Sequence, residues 1–213
     1  EASLNLAALM LDTGRANDAL AITEAGLKYA PEEPGLLQNK ALSLMLGRDP
    51  AGAAAVYAKV VAASPSDEEL RFSYAQALAE AGQKDAARVQ LKKLASSKSV
   101  AVLNSVADTL GRLGDYAACV SAIDAALVID AKSELYVRRG VCRGSLDDSS
   151  GAQADFKKAT EVDPESATAQ YYLGKSLVKT DKKAARAALE RAATLATDNP
   201  KLQAAAKKAL AEL

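Results

Sequence analysis

Histidine and tryptophan are absent from this chain of 213 residues, and cysteine occurs only at Cys119 and Cys142. Without histidine there is no Ser–His or Cys–His nucleophile and no imidazole metal ligand. The two cysteines stand in no CxxC or metal-ligand spacing and read as buried packing thiols, not as a disulfide framework. Aromatics are only 4 % of the residues although 49 % are hydrophobic, so the apolar surface is mostly Ala and Leu. That composition suits closely packed helices and suits β-sheet poorly. No apolar run approaches the roughly 18 residues of a transmembrane helix. No glycine-rich phosphate loop follows a strand, and the carboxylates are spread along helical faces where water keeps them ordinary. Together these absences predict no catalytic residue, no cofactor and no metal. The chain opens at Glu1 with neither Met nor a signal-like segment. It reads as excised from something longer, with any targeting region lost, so a cytoplasmic and a periplasmic setting both stay open.

Charge of one sign is lacking as well. The 27 basic residues match 27 acidic ones, which argues against a general nucleic-acid or membrane-surface binder. The balance conceals a mild polarity, with 12 basic against 16 acidic residues in 1–131 and 15 against 11 in 132–213. An acidic front and a basic back could orient a dipolar partner. Drift among solvated faces is the simpler account, because rim charges contribute little. Nucleic-acid binding by the basic half is the remotest reading.

What is present is a repeat. Ala7, Ala41, Ala75, Ala107, Gly140 and Gly174 follow one another at spacings of 34, 34, 32, 33 and 34. A second set, Ala19, Ala53, Ala87, Cys119, Ala152 and Ala185, runs in phase at 34, 34, 32, 33 and 33. A period near 34 residues means an array of supersecondary units in place of one closed core. Within each unit the apolar positions follow helical spacing twice. Leu70, Tyr74, Ala75, Leu78 and Ala79 are followed by a break at Gly82, then by Ala87, Leu91 and Leu94. Gly14, Gly47, Gly82 and Gly114 mark the intervening turn, where a left-handed backbone suits glycine. Pro31, Pro65 and Pro164 separate one unit from the next. Small residues recur because paired helices cross closely only where no large side chain intervenes. Ala87→Leu or Gly174→Leu is predicted to overpack such a crossing.

The pattern resembles the tetratricopeptide repeat over nearly the whole chain. Repeat 2 carries it in Ala41, Leu44, Ala53, Tyr57 and Pro65. Repeat 4 carries it in Leu103, Ala107, Leu110, Gly114-Asp115-Tyr116, Cys119, Ile123 and Ala126. Repeat 5 does so in Arg139-Gly140, Ala152, Asp155-Phe156, Ala159 and Asp163-Pro164. The resemblance implies an all-α, right-handed α-solenoid, a superhelix of six helix-turn-helix repeats. Their approximate bounds are 1–33, 34–67, 68–99, 100–132, 133–165 and 166–198, with a capping helix over 199–213. Asn199-Pro200 begins that helix, and Leu202, Ala206, Ala209, Leu210 and Leu213 form its apolar face. No equivalent precedes Glu1, so repeat 1 is expected to lack an upstream neighbour. Repeat 3 is two residues short, with Ser96-Ser97-Lys98-Ser99 in place of a proline, and a change of superhelical pitch is expected there. Repeat 5 has Asp147-Asp148-Ser149-Ser150-Gly151 where a turn glycine belongs, and a mobile polar loop is expected.

In arrays of this kind the first helices line a concave groove that captures an extended or helical peptide. Carried onto this sequence, the groove runs through Asn5, Ala8 and Asp12, then Gln38, Asn39, Leu42 and Met45, then Phe72, Ser73, Gln76 and Glu80. It continues through Asn104, Asp108 and Arg112, then Val137, Arg138 and Val141, and ends on Tyr171, Tyr172, Lys175 and Lys179. The partner-binding candidates are Asn39, Phe72, Gln76, Asn104, Asp108, Arg112, Arg138, Tyr171, Tyr172 and Lys175, each of which could equally be a solvated position without a ligand. The carboxylate clamp of one subfamily is absent, since only Asn39 or Arg138 fits its pattern in either register. Arg139 is expected to pair with Asp155 inside its repeat. Arg138 and Arg143 have no such internal explanation and invite a partner contact. The implied role is a non-catalytic adaptor for a partner protein or peptide. Small GTPases and components of pilus, secretion or envelope assembly are among the partners such arrays take. Self-assembly into a homo-oligomer is the alternative.

Overall fold

The computed structural model describes residues 1–213 as thirteen α-helices and no strand. Two compact units divide between Ser97 and Lys98, inside the serine-rich stretch that interrupts the repeat. The first contains α1 (Ala2–Asp12), α2 (Ala16–Leu27), α3 (Pro34–Leu46), α4 (Pro50–Ala63), α5 (Glu68–Glu80) and α6 (Lys84–Lys92). The second contains α7 (Val100–Arg112), α8 (Tyr116–Ile129), α9 (Ser133–Gly144), α10 (Ser149–Val162), α11 (Ala167–Leu177), α12 (Lys182–Leu195) and α13 (Pro200–Ala211). Within each unit every helix packs against the next in sequence, and first helices also touch each other, α1 on α3 and α9 on α11. No helix is long and apolar enough to cross a membrane.

Starts and stops are written locally. Asp49, Asp67, Ser99, Asp115, Asp148, Ser166, Asp181 and Asn199 each accept a hydrogen bond from the backbone N–H three residues on. Each thereby satisfies a donor that the first helical turn leaves open. Gly14, Gly82 and Gly114 adopt φ of 75°, 78° and 75° in the turn inside their repeats, as their spacing predicts. Gly47 departs from the expectation. It keeps φ −76°, and Arg48 beside it takes the left-handed conformation at φ 64°. Repeat 5 departs further: Asp147 turns the chain at φ 60°, Asp148 caps α10, and Ser149, Ser150 and Gly151 are helical. The expected loop is a tight turn because an aspartate can do both tasks, tolerating the left-handed region and capping. In repeat 3 the second helix stops at Lys92, and Leu94 lies beyond it yet is buried.

All twelve small residues of the two in-phase sets are buried. The two glycines among them meet a large side chain of the paired helix. A Cβ on Gly140 would stand 2.5 Å from Cε1 of Phe156, and one on Gly174 would stand 2.6 Å from Cγ of Leu189. Phe156 anchors a cluster with Val137, Ala152, Ala159 and Ala169, flanked by Tyr136, Tyr172 and Leu173. At the far end, Asn199 caps α13 and Pro200 opens it, and only Ala206 of that helix is fully buried against the array.

The cysteines contradict the sequence reading. Cys119 of α8 and Cys142 of α9 form a disulfide, with Cα atoms 6.4 Å apart. They are packing residues in position, at 2 % and 7 % exposure. Because successive helices bring those two positions into contact, the thiols meet and bond.

Candidate interaction groove

The second unit holds a groove of about 550 Å³ whose walls come from four helices. Helix α7 supplies Ala107, Asp108, Gly111 and Arg112, and α8 supplies Tyr116, Cys119 and Ile123. Facing them are Val137, Arg138, Val141 and Cys142 of α9 and Ser145 just past its end, with Thr168 and Tyr172 of α11. Ala107, Cys119, Ile123, Val137 and Cys142 are buried and form the floor, whereas Asp108, Arg112 and Val141 are exposed at the rim and Arg138 is half-buried. A second hollow of about 580 Å³ shares Val137, Arg138 and Thr168 and extends toward the turns at Lys132 and Asp163. Helical periodicity explains the assembly. Asp108 and Arg112 lie four residues apart on α7, as do Val137 and Val141, then Arg138 and Cys142, on α9, so each pair shares a face.

Electrostatics hold the walls. Nη1 of Arg138 donates to Oδ1 of Asp108 at 2.6 Å and ties α9 to α7. Arg139 takes Asp155 in a two-pronged grip, Nη2 to Oδ1 at 2.6 Å and Nε to Oδ2 at 3.0 Å, and also reaches Asp124 at 2.6 Å. Arg143 donates to the same Asp155 at 3.0 Å. The expected Arg139–Asp155 pair is therefore present, while the expectation that Arg138 and Arg143 lack internal partners is overturned. Asp155 is only 3 % exposed, and a buried carboxylate demands such company. The bond to Asp155 raises the Arg139 pKa above its ordinary value, and burial opposes that shift without cancelling it. Arg139 also lies 5.5 Å from the Tyr136 ring centre.

The ten candidates fall into four groups. Asp108, Arg112, Arg138 and Tyr172 come together around the groove. Tyr171 and Lys175 adjoin it on α11. Tyr171 meets Tyr172 edge-on at 5.4 Å, Lys175 lies 5.6 Å over the Tyr171 ring, and Tyr172 stacks on Phe156 at 5.3 Å. Asn104 stands one turn before Asp108, and its buried amide oxygen accepts no hydrogen bond. The remaining three, Asn39, Phe72 and Gln76, belong to the first unit. There Asn39 donates to the carbonyl of Leu4 at 3.2 Å and fastens α3 to α1. Sequence reasoning missed Tyr116, Ile123 and Thr168, because second-helix and helix-start residues carry no groove signature of their own. It missed the disulfide although a signal existed: Ala19 and Ser43, Ala53 and Ala77, and Ala152 and Ser176 occupy the same pair of repeat positions as Cys119 and Cys142.

Paired helices that cross at small residues in every repeat define the class of helical-repeat proteins. One tetratricopeptide repeat model matches residues 4–68 and 144–200, and another matches 44–99. The chain belongs to the tetratricopeptide repeat family. No curated protein sequence matches it. Among solved structures, the C-terminal part of a TPR repeat-containing protein from Cytophaga hutchinsonii is similar over 99 % of this chain and 95 % of its own. That match has a TM-score of 0.72 and 11 % identity. MamA is similar over 79 % of this chain and 94 % of its own, with TM-score 0.63 and 17 % identity. YrrB, a TPR protein with an unusual peptide-binding site, covers 87 % of this chain and 97 % of its own, with TM-score 0.61 and 19 % identity. At such identities the likeness is one of fold.

Proposed function

We propose that this protein is a non-catalytic interaction scaffold that takes a peptide segment of a partner protein in the groove of the second unit. The observation that carries the reading is the convergence of three first helices, α7, α9 and α11, on one apolar-floored hollow with a charged rim. Apolar side chains of the segment would enter between Ile123, Val137 and Val141. Its carboxylates would meet Arg112 and compete with Asp108 for Arg138. The peptide-binding site of YrrB, similar in fold, is consistent with this use. The test is fluorescence anisotropy with a labelled Asp-Leu-Asp-Phe-Asp peptide. Wild type binds, and Arg112→Glu and Val141→Asp each weaken binding about tenfold with unchanged helicity. Both positions are exposed, so folding is spared. Equal affinity in all three proteins would sink the groove.

A specific exposure favours a second reading, self-assembly through α1. Leu9 occupies the repeat position of Ser43, Ala77 and Cys142, which are at most 7 % exposed, yet it is 54 % exposed itself, with Leu6 nearby at 46 %. Leu6 and Leu9 lie three residues apart on one face of α1 and form the apolar surface that a second copy would cover. Sedimentation velocity over a concentration series checks it: self-association should appear and Leu9→Asp should abolish it. A concentration-independent monomer would dismiss this reading.

A further inference from the structure

The disulfide is the one covalent tie between the groove's walls. Cys119 stands on α8 beside Tyr116 and Ile123, and Cys142 stands on α9 beside Val141 and Arg138. At the equivalent junctions of the array, Ala19 with Ser43, Ala53 with Ala77, and Ala152 with Ser176 have no chemistry that could link them. We propose that Cys119–Cys142 is a redox site that sets the groove: the disulfide form holds the walls for peptide binding, and the dithiol form releases them. The inference rests on the groove being the binding site.

Chemically the substrate class is a small dithiol. One thiolate of the reductant attacks a sulfur of the pair, the S–S bond breaks, and a mixed disulfide forms. The reductant's second thiol displaces it, leaving two protein thiols and an oxidised, cyclic reductant. Attack comes from the groove, since both cysteines line it and are otherwise covered. At 2 % and 7 % exposure the pair is nearly closed to solvent, so the groove is the one path by which a small reagent would reach it, and a bound peptide would close that path. Reduction removes the one covalent tie between α8 and α9, so the two helices gain freedom to move against each other. A wall already held in place loses less freedom when peptide binds, which favours the disulfide form. Linkage makes the effect reciprocal: peptide that prefers the disulfide form must protect it from reduction.

The experiment compares oxidised protein, protein reduced with dithiothreitol, and Cys119→Ala/Cys142→Ala, which restores the alanine other repeats carry at the first position. Redox state is fixed by intact mass after alkylation. Anisotropy with the Asp-Leu-Asp-Phe-Asp peptide and amide exchange of α8 and α9 are read on each. Reduced and double-alanine proteins should bind about tenfold more weakly than oxidised protein. They should exchange α8 and α9 amides faster, and the alanine variant should ignore dithiothreitol. Saturating peptide should slow reduction of wild type. Equal affinities in the two redox states overturn the redox site and leave the groove reading intact. Absence of binding in every form brings down the groove reading. Unchanged exchange on reduction overturns the redox site whatever the peptide does.

Discussion

At the scale of single residues, the glycines separate two physical roles. Gly140 sits in mid-helix because the Phe156 ring fills the space a Cβ would need, at 2.5 Å from Cε1 and 2.9 Å from Cδ1. Gly111 sits in the last turn of α7, where a Cβ would meet nothing within 4 Å. Opposite outcomes follow for the same substitution. Gly140→Ala should destabilise by about 1–3 kcal/mol through overpacking. Gly111→Ala should stabilise by about 0.5 kcal/mol, because alanine restricts the unfolded chain and is the better helix former. Urea denaturation of the pair decides this, and a stabilising Gly140→Ala would refute the crossing account. The repeat register set Gly140 apart from Gly111 by placing it with Ala41 and Ala107 at a crossing, but only the packed ring explains why alanine would not serve there.

Among elements, the informative contact is the carboxylate of Asp155, which binds α10 to α9 through Arg139 and Arg143, while Asp124 brings in α8. Three helices of two successive repeats are thereby joined through one buried group. Removing it leaves Arg139 with Asp124 alone and Arg143 with only the 3.9 Å contact to Asp148, so Asp155→Ala should cost about 3 kcal/mol. Asp148→Ala, which removes the cap of α10 and a looser 3.9 Å contact with Arg143, should cost about 1 kcal/mol. A thermal or urea series comparing the two tests the ranking, and equal losses would mean that the network is solvated and weak. The Arg139–Asp155 pair was legible as a repeat signature. Its extension to Arg143 and Asp124 was not, because those contacts depend on how far each helix is turned against its neighbour.

For the whole molecule, a repeat array distributes stability among neighbours and so does not have to unfold in one step. The disulfide closes a loop between positions 23 residues apart within the second unit. Such a loop stabilises by about 3 kcal/mol in the chain-entropy account. Reduction should therefore increase amide exchange through residues 98–213 and leave the most protected amides of residues 1–97 near their original rates. Uniform loss of protection in both units would show a single cooperative array. The break at Ser96–Ser99 was visible as a shortened repeat without proline, and the compact units divide there.

The sequence by itself determined the family, the helical content and the buried positions. Those follow from periodicity, and a period of about 34 residues with small residues in phase leaves few ways to bury apolar surface. It determined most turns for the same reason, since glycine, aspartate and proline act on the backbone within a few residues of themselves. Only the tertiary structure decided that Cys119 bonds Cys142, that Arg138 is engaged by Asp108, and that four of the ten candidate residues meet around one groove. These facts depend on distances between side chains from different helices. The helical period specifies which residues face a neighbour, but not which atoms across the gap they reach.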